Sequence, residues 1–511
     1  MKKVLLTMLG LFVLVFALSG ISYGWQGRMG GMGDPFGLVV DESDYLIHPA
    51  KIANGEGVRF YGDYRFTYTG VIKWDDRFSV FGLSGVLINS GLIDVSGQEL
   101  GHDALVGAAF PLWLGRMGLF FTYDGMRGDY DGMSGTRTSL AMENNLDNFA
   151  VRVLYGLPVG GGFKLGAETQ LAYRHELQEM NVFSASQVVL NSLGVPYPFP
   201  NNSSYLEALF KGSMEGKIGS LDVEFTLRGG FYLPGSNSSE WDFQVQSPPG
   251  NPVAAWKPNG EVHGWQVGSD LWLRYPLAPD LTLPFLVRAD YLQRTRNGFG
   301  SGFDGPFSTN TDFRGEVRDL TITVGGGVDK EFGKATRIAA GIYYNYLQRK
   351  EDFTYTVSSV GPGLFLMEDL TYPDSMEHQL LLRLAGEHTL SPAVTLRVGL
   401  KLFYGWVIPE AKFASAASIA PLLSIFDVSS EGPGHGYDWG IGVSLGGTVK
   451  VKPLTLEPFI GGGYRQLHLG LHGVGFSTFS PMLPPIPDFP DDVITRNEWS
   501  IGGGLSILYD L

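Results

Sequence analysis

Along most of this chain apolar and polar positions alternate with a period of two. In LDVEFTLRGGFY (221–232), Leu221, Val223, Phe225, Leu227, Gly229 and Phe231 share one face, while Asp222, Glu224, Thr226 and Arg228 share the other. VTLRVGLKLFY (394–404) repeats the split, with Val394, Leu396, Val398, Leu400, Leu402 and Tyr404 set against Thr395, Arg397 and Lys401. Successive side chains of an extended strand point to opposite faces, so each stretch predicts a strand with one greasy and one wet side. The last residues, WSIGGGLSILYDL (499–511), keep the alternation to Leu511. Such an edge calls for a partner, and VRFYGDYRFTY (58–68) is the candidate.

The strands come as a repeated hairpin. Six of them climb to Tyr173, Tyr232, Tyr291, Tyr346, Tyr404 and Tyr464, which are 59, 59, 55, 58 and 60 residues apart. Short turns follow the descending strands, at 156–162, 276–280, 389–393 and 451–454, whereas the opposite connections are long. Descending strands are predicted near 104–114, 146–155, 204–214, 262–275, 314–328, 376–388, 437–449 and 496–511. Ascending strands are predicted near 58–68, 117–125, 163–173, 221–231, 281–291, 336–346, 394–404 and 454–464. That makes about 16 strands in an all-β, closed antiparallel transmembrane β-barrel, with 14 or 18 as alternatives. Residues 78–95 are left over, as a loop element or as two more strands. Pro284 and Pro458 fall near the short-turn end, where ladder bonds can be given up.

Composition narrows the class. Charged residues make up 17%, below the ~25% usual for soluble domains, while aromatics reach 13% and glycine 71 of 511. Residues 1–24 (MKKVLLTMLGLFVLVFALSGISYG) read as a secretory signal, with two lysines, an apolar run and small residues before the cut. Nothing beyond them is long and apolar enough for a spanning helix, so a membrane could be crossed only by a closed barrel. Residues 25–56 lack strand alternation and form an N-terminal plug or a periplasmic leader, and 57–511 form the barrel. With no cysteine, disulfides and thiolate metal sites are excluded, and no cofactor is expected. A net charge of −15 without a basic tract excludes nucleic acid as a partner. Signal and barrel together place the chain in a bacterial outer membrane.

In a barrel the tyrosines become an aromatic girdle: the six above at the outer rim, and Tyr155, Tyr275 and Tyr509 at the inner one. The wet faces line the lumen with both signs of charge: Arg152, Glu168, Arg228, Asp270, Arg274, Arg288, Asp290, Arg383 and Arg397. These either set the field of an open pore or pair across strands to neutralise a narrow interior, and pairing is the expectation for most.

Catalytic patterns are poor. HELQE (175–179) lacks the second histidine of a metalloprotease helix, HLGLH (468–472) sits in a glycine-containing loop, and DYDG (129–132), also in a loop, lacks the further ligands of a calcium site. His378 and His388 read as interfacial residues. No enzyme activity is expected. The connections at 182–200 and 407–428, and the second half of 473–489, are unusually apolar for outward loops, which suits binding of greasy ligands.

VDESDYLIHPAKIA (40–53) resembles the N-terminal segment of the FadL/TodX family of hydrophobic-compound channels, where acidic residues lead into Asn-Pro-Ala before the barrel. Asp41 and Glu42 take the acidic positions, Pro49 and Ala50 match, and His48 stands where the family has asparagine. The resemblance implies that this segment lies in the lumen as a hatch and that ligands pass it and leave sideways. The chain's end is also similar to the signal read by the barrel assembly machinery, with Tyr509 third from last but Leu511 where phenylalanine is usual. The function read from all this is passive outer-membrane uptake of small hydrophobic molecules. A general diffusion porin, a structural or adhesion barrel and a barrel enzyme are the alternatives; oligomeric state is not encoded legibly.

Overall fold

The computed structural model describes the chain except for residues 1–26, 33–36, 41, 82–86, 135–137, 185–201, 234–237, 241–242, 248–250, 257–258, 305–306, 361–363, 370–373, 420–422, 472–474 and 479–491. The signal-like residues 1–24 and most of the connections at 182–200 and 473–489 therefore lie outside the described residues.

Sixteen strands form the wall. The first eight are β1 (Arg59–Phe81), β2 (Leu87–Leu112), β3 (Gly115–Ser134), β4 (Thr138–Gly160), β5 (Phe163–Ser184), β6 (Asn202–Ile218), β7 (Leu221–Tyr232) and β8 (Asn259–Ala278). The rest are β9 (Leu281–Asp304), β10 (Phe307–Phe332), β11 (Thr336–Val360), β12 (Asp374–Ser391), β13 (Val394–Ile419), β14 (His435–Val451), β15 (Leu454–Leu471) and β16 (Asp492–Asp510). Each pairs antiparallel with its neighbours in sequence, and β16 returns to β1 with Arg59 opposite Asp510 and Asp76 opposite Ile494. The terminal alternating stretch thus finds its partner, and the barrel is closed.

The alternation of burial is inverted relative to a water-soluble protein. Along β14 the outward Ile441, Val443, Leu445, Val449 and Val451 are exposed, while Asp438, Ser444 and Thr448 are buried inside. Polar groups form the interior and aliphatic groups the surface, which is the pattern a lipid-facing barrel needs. No described helix is long and apolar enough to cross a membrane.

Tight turns close the descending strands. Gly160, Gly161 and Gly162 between β4 and β5 all have positive φ, which only glycine takes without strain. The two prolines interrupt their ladders as expected. On the β9–β10 side pairing jumps from Thr282–Asp329 to Phe285–Gly326 around Pro284, and on the β14–β15 side from Gly446–Phe459 to Val449–Leu456 around Pro458.

Four expectations are corrected by the lengths of the strands. The described part of residues 78–95 belongs to the wall and not to a loop element or extra strands: β1 runs on to Phe81 and β2 starts at Leu87, with Phe78 opposite Gly91. Likewise 407–428 is mostly a hairpin: β13 runs on to Ile419 and pairs with a strand at Leu423–Pro433, Phe413 opposite Ser430. DYDG (129–132) lies in β3 and His468 in β15, not in loops. Strands such as the 26-residue β13 far exceed the ~9–11 residues that cross a bilayer, so backbone pairing extends the wall well past the apolar band.

At the outer rim, outward aromatic tips bond to polar groups on the next strand. Tyr123 donates to Asp147 (2.7 Å), Trp439 to Gln466 (2.8 Å), Tyr464 to Asn497 (2.9 Å) and Trp265 to Gln293 (3.1 Å). Tyr173, Tyr404, Tyr275 and Tyr509 are exposed on the outer surface. Tyr232 is a correction: it has the parity of Glu224 and Thr226, is buried, and packs edge-on to Tyr205 at 4.9 Å, while Phe231 takes the outward place.

Candidate functional site

Inside the wall lies the N-terminal segment: a single helical turn α1 (Gly27–Gly31) and two 3-10 turns, Glu42–Leu46 and Pro49–Asn54. Proline at the start of the second 3-10 turn costs no hydrogen bond, since the first N–H groups of a helix have no partner within it. At its other end Gly55 N–H donates to Ile52 O.

Glycines in the wall seat this segment. Gly156 and Gly166 are register partners on β4 and β5, and a β-carbon on either would fall on Ile52, Ala53 or the backbone of Pro49 and Ala50. Gly327 and Gly341 are partners in the same way on β10 and β11, and Leu38 rests on both. Sequence reasoning missed these seats; the available signal was glycine at lumenal parity on adjacent strands.

Polar contacts fix the second 3-10 turn. Ala50 N–H donates to Ser213 Oγ (2.6 Å) and His48 Nδ1 lies 2.6 Å from Thr226 Oγ1. The His48 ring stands edge-on to Trp272, with centroids 4.4 Å apart, and burial pushes its pKa down to about 3, so the ring is neutral. Lys51 bonds Asp44 (2.7 Å) and pairs with Glu224 (2.9 Å), which also takes Arg274. The carbonyl of Leu46 accepts from Arg152 (2.8 Å) and Lys211 (2.7 Å), which share Glu168. Cations thus gather where the first 3-10 turn leaves its carbonyls unsatisfied.

The predicted lumenal residues fall on the inner face. Arg152–Glu168 (2.7 Å) and Arg274–Glu224 are buried pairs under the segment. Arg228 and Arg288 both bond Asp270, and Arg228 also bonds Asp290 (2.7 Å). Arg397 bonds Glu387 (2.8 Å), which also holds Arg28 of α1 (3.0 Å), and Arg383 lies over the Tyr343 ring. Paired charge, not a run of one sign, lines this part of the interior. Of the segment's predicted residues, His48, Pro49 and Ala50 are buried against the wall, Asp41 lies outside the described residues, and Glu42 opens the first 3-10 turn.

Between the polar contacts lie two apolar walls. Trp272, Leu286, Ala339, Tyr343, Leu381, Ala385 and Phe403 form one, covered by Met29, Met32, Leu38 and Val39. Tyr61, Leu105, Ala109, Phe120, Leu154 and Leu508 form the other, covered by Tyr45, Leu46 and Ile52. An apolar wall inside a wet barrel is unusual, and here the N-terminal segment is what keeps it from water.

No family model matches the chain, and no curated protein matches it. Among solved structures it is similar to the TodX monoaromatic hydrocarbon channel in a deltaS2 mutant form, at 13% identity and a TM-score of 0.44, over 95% of this chain and 99% of that one. It is also similar to the Pseudomonas putida toluene transporter TodX (13%, 0.42, 96% and 99%). A third similar structure is a Pseudomonas aeruginosa FadL homologue (12%, 0.42, 95% and 98%).

Proposed function

We propose that the protein is an outer-membrane channel for passive entry of small hydrophobic molecules, with residues 25–56 as its plug. The observation that carries this reading is the apolar wall Trp272–Phe403 and its cover of Met29, Met32, Leu38 and Val39. Covering apolar surface stabilises by about 25 cal/mol per Å², so a greasy solute can take the place of the cover at little net cost. Movement of the segment exchanges one apolar occupant for another and requires no covalent chemistry. The paired charges leave little fixed field to draw ions through.

Flux into liposomes carrying the full chain tests this, with N-phenylnaphthylamine as the apolar probe and glucose as the polar one. Dye entry well above that of empty liposomes with little glucose entry is expected, and Leu381→Gln with Ala385→Gln should slow the dye alone. Equal entry of glucose would make the protein a general diffusion porin, and entry of neither a structural barrel.

A further inference from the structure

One short turn of the wall is unlike the rest. Seven short turns join described strands, and six of them consist of glycine, proline, serine, alanine, aspartate and lysine alone. The seventh, between β2 and β3, is Trp113–Leu114. Leu112 stands opposite Gly115, so these two residues make the whole turn. Among the described residues Trp113 alone of the non-glycines has a positive φ, 52°. Where other turns need a positive φ they use glycine, as at Gly161, Gly162, Gly219 and Gly333. A bulky residue in that conformation is strained where glycine is not, so the tryptophan is kept for what its side chain does.

That side chain packs on little of the protein. Trp113 is 89% exposed and Leu114 82%, so two large apolar groups stand side by side at the tip of a hairpin. They prolong the outward apolar band. Leu112 has the parity of exposed Val106 on β2, and across the turn Met117 has that of exposed Phe121 on β3. Tyr155 of β4 stands opposite Met117 and lies over Gly115, its hydroxyl 3.5 Å from the carbonyl of Leu112. Trp113 is ten residues from Tyr123 at the outer rim, and ~9–11 residues of strand cross a bilayer. The turn therefore lies at the opposite headgroup region, the depth that tryptophan favours. The first charged residue after the turn, Arg116, is buried and directed to the chain that leads into β1: its Nη1 donates to Gly57 O at 2.8 Å.

We propose that Trp113 and Leu114 are a lipid anchor, inserted into the interface of the membrane leaflet on the short-turn side. Continuity with the lipid-facing band identifies the occupant, since no polar residue separates Leu112 from Trp113 and Leu114. An indole gives its ring to acyl chains and its N–H to carbonyl or phosphate oxygens, and Leu114 adds apolar surface beside it. The hairpin that enters the leaflet is also the one that holds the segment's tether, through Arg116 and Gly57. The anchor rests on the lipid-facing wall and is independent of what the lumen carries.

The chain has no cysteine, so Leu114→Cys carries a single nitroxide label in the full-length protein. In phosphatidylcholine vesicles the label's collision rates are measured with oxygen, which concentrates in lipid, and with a water-soluble nickel chelate. Ser220→Cys, on the exposed β6–β7 turn, is the reference. The ratio of oxygen to nickel collisions is expected to be at least threefold higher at 114 than at 220. Adding Trp113→Gly, which accepts the positive φ and removes the ring, should lower the ratio at 114 toward that at 220 while the heat-modifiable mobility of a folded barrel is kept. Equal ratios at the two turns would overturn the proposal, and so would a label at 114 shielded from both reagents, the sign of a contact between copies. A ratio at 114 unmoved by Trp113→Gly would also overturn it, since the wall and not the indole would then place the turn.

Discussion

Gly166 of β5 lies flush against the backbone of Ala50, 116 residues earlier in the chain, with no room between them for a methyl group. Gly166→Ala should therefore unseat the segment without altering any of its residues, because backbone atoms cannot swing aside as a side chain can. Gly212→Ala, where an added β-carbon meets nothing within 4 Å, is the control. Planar-bilayer recording should show frequent openings in the first variant and wild-type quiet in the second.

His48 links segment stability to pH. Folded, it stays neutral to about pH 3; unfolded, it takes its proton near 6.5. Between these values the unfolded state binds more protons, so the His48 contribution is complete above about pH 6.5 and drains away as pH falls toward 3. The thermal midpoint of the wild type should fall more steeply over that window than that of His48→Asn, which keeps a polar group beside Thr226 and cannot titrate.

Glu224 holds Lys51 and Arg274 together, and all three are buried. Glu224→Gln leaves two cations facing a neutral amide. Removing one partner of a buried pair costs ~3–5 kcal/mol, and here the loss should appear as release of the segment and not of the barrel. Protease cleavage near residues 42–54 should accelerate while heat-modifiable mobility is kept.

The outward face can be tested separately. Val443→Arg places a cation in the apolar band and should destabilise the barrel in lipid by about 2–4 kcal/mol, falling toward zero for Tyr437→Arg at the rim. Urea unfolding in vesicles measures both.

The wall was legible because lipid on one side and water on the other impose a period of two, and sixteen strands could be counted from it. The extent of β1 and β13 was not legible, since beyond the bilayer their ends are held by backbone pairing, which leaves no hydropathy signal. Tyr232 was misplaced because its rank at the strand's end was weighed above its parity. For the interior, Arg152 and Glu224 could be assigned to a face, but their meeting with Leu46 and Lys51 could not. Those contacts join residues more than 100 positions apart, and nothing local marks Ser213 or Thr226 as partners of the segment.

The segment is tethered to the barrel by only a few residues, and they join it to β1, the strand that closes the ring. Leu511 N–H donates to Val58 O at 3.0 Å, so the junction itself is part of the seam. A pull on the segment toward the short-turn side runs along the axis of β1, and the ladder to β16 carries that load in shear, with all its bonds strained together instead of one at a time. The segment's contacts with the wall are scattered and not aligned as one ladder, so they yield one after another and first. Mechanically, the seam is the anchor against which the interior can be emptied while the ring stays shut.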